Sequence, residues 1–82
     1  MRRYVDGQDK KLVKVVCNKC GRELLVEDGY LKEFCFEAEA AFGYFSRKDG
    51  TIHYFDLCED CYDEWTAQFR VPVEETENLE FL

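Results

Sequence analysis

The stretch Asp56-Leu57-Cys58-Glu59-Asp60-Cys61-Tyr62-Asp63-Glu64-Trp65 decides the fold. It reads as the opening of a helix with two cysteines built into its N-terminus. Asp56 is a good N-cap, because its carboxylate can accept a hydrogen bond from an otherwise unpaired helix N–H. Glu59, three residues on, suits the reciprocal half of a capping box. Cys58 and Cys61 fall one helical step apart, so both sulfurs can point the same way. Thiolates there gain from the positive end of the helix dipole. Two adjacent thiolates still repel each other unless a cation lies between them. The chain supplies a matching pair upstream, Cys17 and Cys20 in Cys17-Asn18-Lys19-Cys20-Gly21-Arg22. Together the two C-x-x-C pairs make a four-sulfur site, for which zinc is the preferred occupant.

The size of the chain agrees with a metal staple. A chain of 82 residues makes one small domain, which buries only about 60–65% of its unfolded surface. Such cores are marginal and often carry a disulfide or a metal. The cysteine count is five, an odd number. Met1-Arg2-Arg3-Tyr4-Val5-Asp6-Gly7 has charge but no apolar signal-peptide core behind it. C-x-x-C pairing, odd cysteines and no export signal favour reduced thiols and metal over disulfides, and predict a cytoplasmic protein. No apolar run approaches the roughly 20 residues that a membrane span needs, so no membrane partner is expected.

The net charge of −7 is unevenly spread. Residues 1–22 hold seven of the eleven Lys/Arg against Asp6 and Asp9, whereas residues 23–82 hold four against sixteen acids. An acidic body repels phosphate backbones, which dominate nucleic-acid affinity. Nucleic acid is therefore disfavoured as a partner and a protein partner preferred.

Outward from the cysteines, the chain divides into an arm (1–11, frayed or edge strand), a metal-binding domain (12–71) and an acidic tail (72–82). Leu12 to Val16 is rich in β-branched residues and reads as a strand running into Cys17. Cys17 to Arg22 has the sequence of a zinc knuckle, whose tight turn aims backbone N–H groups at the sulfurs, with Gly21 able to take positive φ. Leu24-Leu25-Val26 continues as strand, and Asp28-Gly29 is a hairpin signal. Residues 30–41 fit a helical stripe and an alternating strand almost equally; Phe34-Cys35-Phe36 tips them to strand. Phe42 to Ser46 and Thr51 to Phe55 bracket a polar tip, Arg47 to Gly50, and read as a β-hairpin. The helix should run from Asp56 to about Arg70, with Cys61, Trp65 and Phe69 on one stripe, and Pro72 should end it. The expected fold is α+β: a small zinc-stapled domain with an N-terminal knuckle, antiparallel strands and one C-terminal helix.

Four cysteines leave no open coordination position, and catalytic zinc normally keeps one. The site is therefore expected to be structural: Cys17, Cys20, Cys58 and Cys61 around one Zn²⁺. A redox C-x-x-C is the weaker alternative, since the chain is too short for a thioredoxin-type fold, and iron or an iron–sulfur cluster is the other. Cys35 reads as a small buried hydrophobe and His53 as a strand histidine rather than a ligand. No nucleophile–base pair can be assembled, so no enzyme is expected. Partner contacts are assigned to Arg47 and Lys48 on the hairpin, Asp63 and Glu64 on the helix and Phe81 in the tail. Phe42, Tyr44, Arg47 and Lys48 also suit a single-stranded nucleic-acid platform. Acidity suits, as a further alternative, an inhibitor that occupies the nucleic-acid groove of a basic enzyme.

Knuckle, hairpin, then a helix holding the last two ligands: this order resembles the treble-clef and zinc-ribbon classes. The run Gly50-Thr51-Ile52-His53-Tyr54-Phe55-Asp56-Leu57-Cys58-Glu59-Asp60-Cys61-Tyr62-Asp63-Glu64-Trp65, with Cys17 and Cys20, resembles a small zinc-ribbon anti-sigma family of spore-forming bacteria. The resemblance implies a cytoplasmic transcription regulator that binds RNA polymerase or a sigma factor.

Overall fold

The computed structural model of the chain describes residues 1–5 and 11–78. Asp6 and Gly7 of the arm, and Phe81 of the acidic tail, lie outside the described residues. Among the described residues, seven strands precede one helix: β1 (Arg2–Val5), β2 (Lys11–Val16), β3 (Glu23–Leu24), β4 (Val26–Glu27), β5 (Tyr30–Leu31), β6 (Cys35–Ala41), β7 (Ile52–Cys58) and α1 (Glu59–Thr66). They form a three-stranded sheet in the order β1-β2-β3 and two hairpins, β4-β5 and β6-β7. All pairings are antiparallel. This is the expected α+β arrangement of antiparallel strands and one C-terminal helix.

Local turn chemistry sets most of the path. The knuckle between β2 and β3 is closed by Gly21 N–H donating to the Cys17 carbonyl at 2.9 Å and Cys17 N–H donating to the Arg22 carbonyl at 2.8 Å. Gly21 takes φ +81°, which a side chain would resist. Asp28 and Gly29 both have positive φ, 52° and 82°, the geometry of a tight hairpin turn that matches strand twist. The Leu24-Leu25-Val26 run does not continue as one strand. Leu25 leaves the ladder because its N–H donates to the Glu33 carboxylate at 2.7 Å and its carbonyl accepts from Lys32 at 2.9 Å.

Residues 35–41 settle as strand, paired along their full length with β7 from Cys35 opposite Cys58 to Ala41 opposite Ile52. That register moves the hairpin tip. The residues 42–46, expected as a strand, instead belong to a ten-residue loop over 42–51. The chain turns early: Ser46 N–H bonds back to the Gly43 carbonyl, and Gly50 N–H, at φ +88°, reaches the Phe42 carbonyl at 3.0 Å.

The helix also differs from expectation at both ends. Asp56 does not cap it; β7 continues through Leu57 and Cys58, and Cys58 occupies the N-cap position with extended backbone (φ −71°, ψ 166°) and no side-chain cap. Cross-strand pairing of Asp56 with Glu37 and of Leu57 with Phe36 keeps this segment extended, and Leu57 is buried there at 6% exposure. The helix ends at Thr66, well before Pro72. Thr66 Oγ1 bonds back to the Tyr62 carbonyl at 3.0 Å; Ala67 N–H still reaches four residues back, to the Asp63 carbonyl, but Gln68 and Phe69 reach only three. The last turn is thus tightened rather than α-helical.

The core is very small, and half of it is sulfur. The buried apolar residues are Val15, Leu24, Leu57, Cys17, Cys58 and Cys61. Phe36, Phe55, Tyr62 and Trp65 pack around the helix with ring centroids 5.0–6.4 Å apart, yet Trp65 remains 38% exposed. Among the described residues only three aliphatic side chains are fully buried, and the clustered cysteines make up the rest of that core.

Candidate metal centre

Two elements bring the cysteines together. The knuckle presents Cys17 and Cys20; the junction of β7 with α1 presents Cys58 and Cys61. Asn18 and Asp56 tie these elements in register. Asn18 N–H donates to the Asp56 carbonyl at 2.8 Å, and Asp56 N–H donates to Asn18 Oδ1 at 2.9 Å. This clasp lies one residue after Cys17 and two before Cys58, so it fixes the distance between the two halves of the cluster.

The four sulfurs all lie within 4.8 Å of one another. Tetrahedral coordination at a metal–sulfur length of about 2.3 Å requires sulfurs about 3.8 Å apart. Cys20 Sγ and Cys58 Sγ are 3.9 Å apart. The donor set therefore fits a single tetrathiolate metal site. Cys17, Cys58 and Cys61 are buried and Cys20 is exposed, so the cluster opens to solvent on the knuckle side.

The surroundings act oppositely on two of the sulfurs. Burial alone raises the Cys17 thiol, but backbone N–H groups of Cys20, Cys58 and Lys19 outweigh it and bring it down to about 6. Arg22 N–H lies 3.4 Å from Cys20 Sγ. Cys61 goes the other way: burial first, then hydrogen bonds that its S–H donates to the Cys58, Cys17 and Cys20 sulfurs, push it up to about 12. Four sulfurs this close cannot all ionise unaided, and a divalent cation relieves that repulsion. Two basic side chains flank the cluster. Arg22 is held in a two-pronged pair with Glu33 at 2.6 and 3.3 Å, and Lys19 Nζ bonds Glu64 Oε1 at 2.9 Å. The Glu33 and then the Cys58 sulfur raise the Arg22 guanidinium, so its charge stays beside the cluster.

The residues assigned to partner contact are not brought together. Arg47 and Lys48 are exposed on the 42–51 loop, with Lys48 Nζ 4.5 Å over the Phe42 ring. Asp63 and Glu64 are exposed on α1, and Glu64 is already paired with Lys19. Phe81 lies outside the described residues. Cys35 stands apart from the cluster and is half-buried rather than buried, its Sγ 3.4 Å from Asp56 Oδ1. His53 packs edge-on against Phe42 at 4.8 Å.

Sequence reasoning missed the network around Asp56. This carboxylate, 4% exposed, accepts from Arg2 Nε at 3.0 Å and from the Met1 amine at 2.7 Å. Its only sequence signal was an acid between two apolar residues of a strand, Phe55 and Leu57, which demands a cationic partner if buried. Comparison with protein-family profiles, curated proteins and solved structures finds no match to this chain. The likeness of residues 50–65 to a zinc-ribbon anti-sigma family thus rests on that motif alone.

Proposed function

We propose that this chain is a zinc-stapled, non-enzymatic protein-interaction module. The observation that carries it is the closed tetrathiolate cluster, which supplies much of a very small core. Zinc is favoured over iron because it imposes no redox chemistry and suits a four-cysteine tetrahedral set. Four protein ligands leave no position for a substrate or a nucleophilic water, so the metal organises surface rather than reacts. Unused surface is abundant: Tyr44, Phe45, Tyr54 and Tyr30 are each at least 68% exposed. Exposed aromatics of this kind are enriched where proteins bind one another. A transcriptional role, with RNA polymerase or a sigma factor as the partner, is the finer form of this proposal and rests on the motif in residues 50–65.

Native mass spectrometry and metal analysis, before and after a chelator, test the staple. One zinc per chain, with unfolding on its removal, is the expected result; iron, or no metal in a folded chain, overturns it. Titration of the zinc-loaded chain with purified RNA polymerase and sigma factor tests the transcriptional form separately. Binding to neither removes that form.

A further inference from the structure

A groove of about 370 Å³ lies between β1 and the β6–β7 hairpin, on the sheet face away from α1. That volume is within the range of ligand sites, about 300–1,000 Å³. Arg2 and Tyr4 form one wall, Glu37, Glu39 and Tyr54 the other, and Asp56 the floor. The register puts Glu39 directly opposite Tyr54 and Glu37 opposite Asp56, so all four side chains stand on one face of the hairpin.

The charges of the groove are unbalanced. Arg2 is shared between Asp56 at 3.0 Å and Glu37 at 3.1 Å, and the Met1 amine is held by Asp56 at 2.7 Å. Three carboxylates thus face two cations, and Glu39 has no ion pair among the described residues. Beside that carboxylate are two tyrosine rings left largely in water, Tyr54 at 68% and Tyr4 at 50% exposure. A carboxylate next to exposed aromatic rings is the chemistry that binds a guanidinium: the planar cation stacks on a ring and its N–H fork meets the carboxylate. An anionic ligand meets the opposite conditions here.

We propose that this groove binds an arginine side chain of a basic, extended peptide segment of a partner protein. The proposal rests on the interaction-module reading and names its contact surface and the chemistry of its partner. The guanidinium sits against Tyr54 and Tyr4 and pairs with Glu39; the acidic surface of the chain, −7 overall, steers the basic segment in.

The test is an NMR titration of the ¹⁵N-labelled, zinc-loaded full chain with a blocked Gly-Arg-Gly-Arg-Gly peptide, and with its lysine counterpart. Shifts are expected to concentrate in β1, β6 and β7, and the arginine peptide is expected to bind more tightly. Glu39→Gln and Tyr54→Ala should each weaken binding by about fivefold or more, while Glu74→Gln and Glu75→Gln in the tail leave it within about twofold. Both groove positions are exposed strand residues, and unchanged metal content and spectral dispersion will establish that the variants fold. Shifts spread over α1 and the tail, equal affinity for the two peptides, or indifference to Glu39→Gln would each overturn the proposal. A folded, zinc-loaded chain that ignores the peptide removes the groove assignment alone, whereas a chain that folds without metal removes the staple.

Discussion

Arg2 Nε donates to Asp56 Oδ1 at 3.0 Å, linking the first strand to the last across 54 positions of sequence. The same carboxylate takes the Met1 amine, and its backbone is clasped by Asn18. One buried acid therefore joins the N-terminal strand, the knuckle and the strand that delivers Cys58. Removing one partner of a buried ion pair leaves the others desolvated and unpaired, which costs about 3–5 kcal/mol when burial is complete. Arg2 is 20% exposed, so Asp56→Ala should cost somewhat less, about 2–4 kcal/mol. Urea unfolding of the zinc-loaded variant measures it, and a loss below about 1 kcal/mol, the scale of a surface pair, would show that the clamp contributes little.

The pH dependence of that clamp follows from the sign of its shift. Burial alone would raise the Asp56 carboxyl, but the Met1 amine and then Arg2 outweigh it and leave it below its ordinary value of 3.8. A carboxyl lowered in the folded state adds stability above its unfolded value and loses it as pH falls through the folded one. Between pH 7 and 5 the Asp56 carboxyl is ionised in both states, so its own titration adds no slope there. Loss of stability in that window belongs instead to the thiolates, because protons compete with the metal for sulfur. The stability difference between the natural chain and Asp56→Asn should be flat from pH 7 to 5 while both lose zinc on acidification. A difference that shrinks across that window would assign the acid sensitivity to Asp56.

Cys35 and Cys61 should respond oppositely to substitution. Cys61 is one of four clustered sulfurs, and its replacement by serine breaks the donor set. Apparent zinc-binding energies of about 10–16 kcal/mol in small fingers exceed the stability of most small domains. Cys61→Ser should therefore lose metal and fold together. Cys35 is not among the four clustered sulfurs; its Sγ lies instead 3.4 Å from Asp56 Oδ1. Cys35→Ala should keep one metal per chain at a cost of about 1 kcal/mol. Metal stoichiometry by native mass spectrometry separates the two; loss of metal from Cys35→Ala would place that sulfur in the site.

What the sequence disclosed was local. Gly21, and Asp28 with Gly29, occupy positive-φ turns that only a few residue types accept, so the knuckle and the short hairpin were readable from residue type. The two C-x-x-C pairs were likewise readable as one cluster. The segment around Asp56 was not, since a helix cap and a buried strand acid present the same residue before the same cysteines. The difference lies in Arg2 and Asn18, distant in sequence, and in the pairing of Leu57 with Phe36. The hairpin tip was misplaced for the same reason: Phe42 to Phe45 has strand composition, but the register set by Cys35 opposite Cys58 uses up β7 before reaching it. The groove between β1 and the hairpin depends on the same tertiary contacts.

The helix offers a separate test of how the parts depend on one another. At eight residues it is too short to persist alone in water, where helices below about 12–15 residues are marginal. Cys61 anchors its first turn to the cluster, and Trp65 anchors its last turn, with ring centroids 5.9 Å from Phe36 and 6.4 Å from Phe55. Full truncation of a buried aromatic costs about 3–5 kcal/mol. At 38% exposure Trp65→Ala should cost roughly 2 kcal/mol. The loss should fall unevenly. Amides of the last helical turn should exchange faster with solvent, while those around Cys58 and Cys61 stay protected as long as metal is bound. Hydrogen exchange on the zinc-loaded variant measures both ends at once. Equal acceleration at both ends would mean that Trp65, rather than the metal, holds the helix to the hairpin.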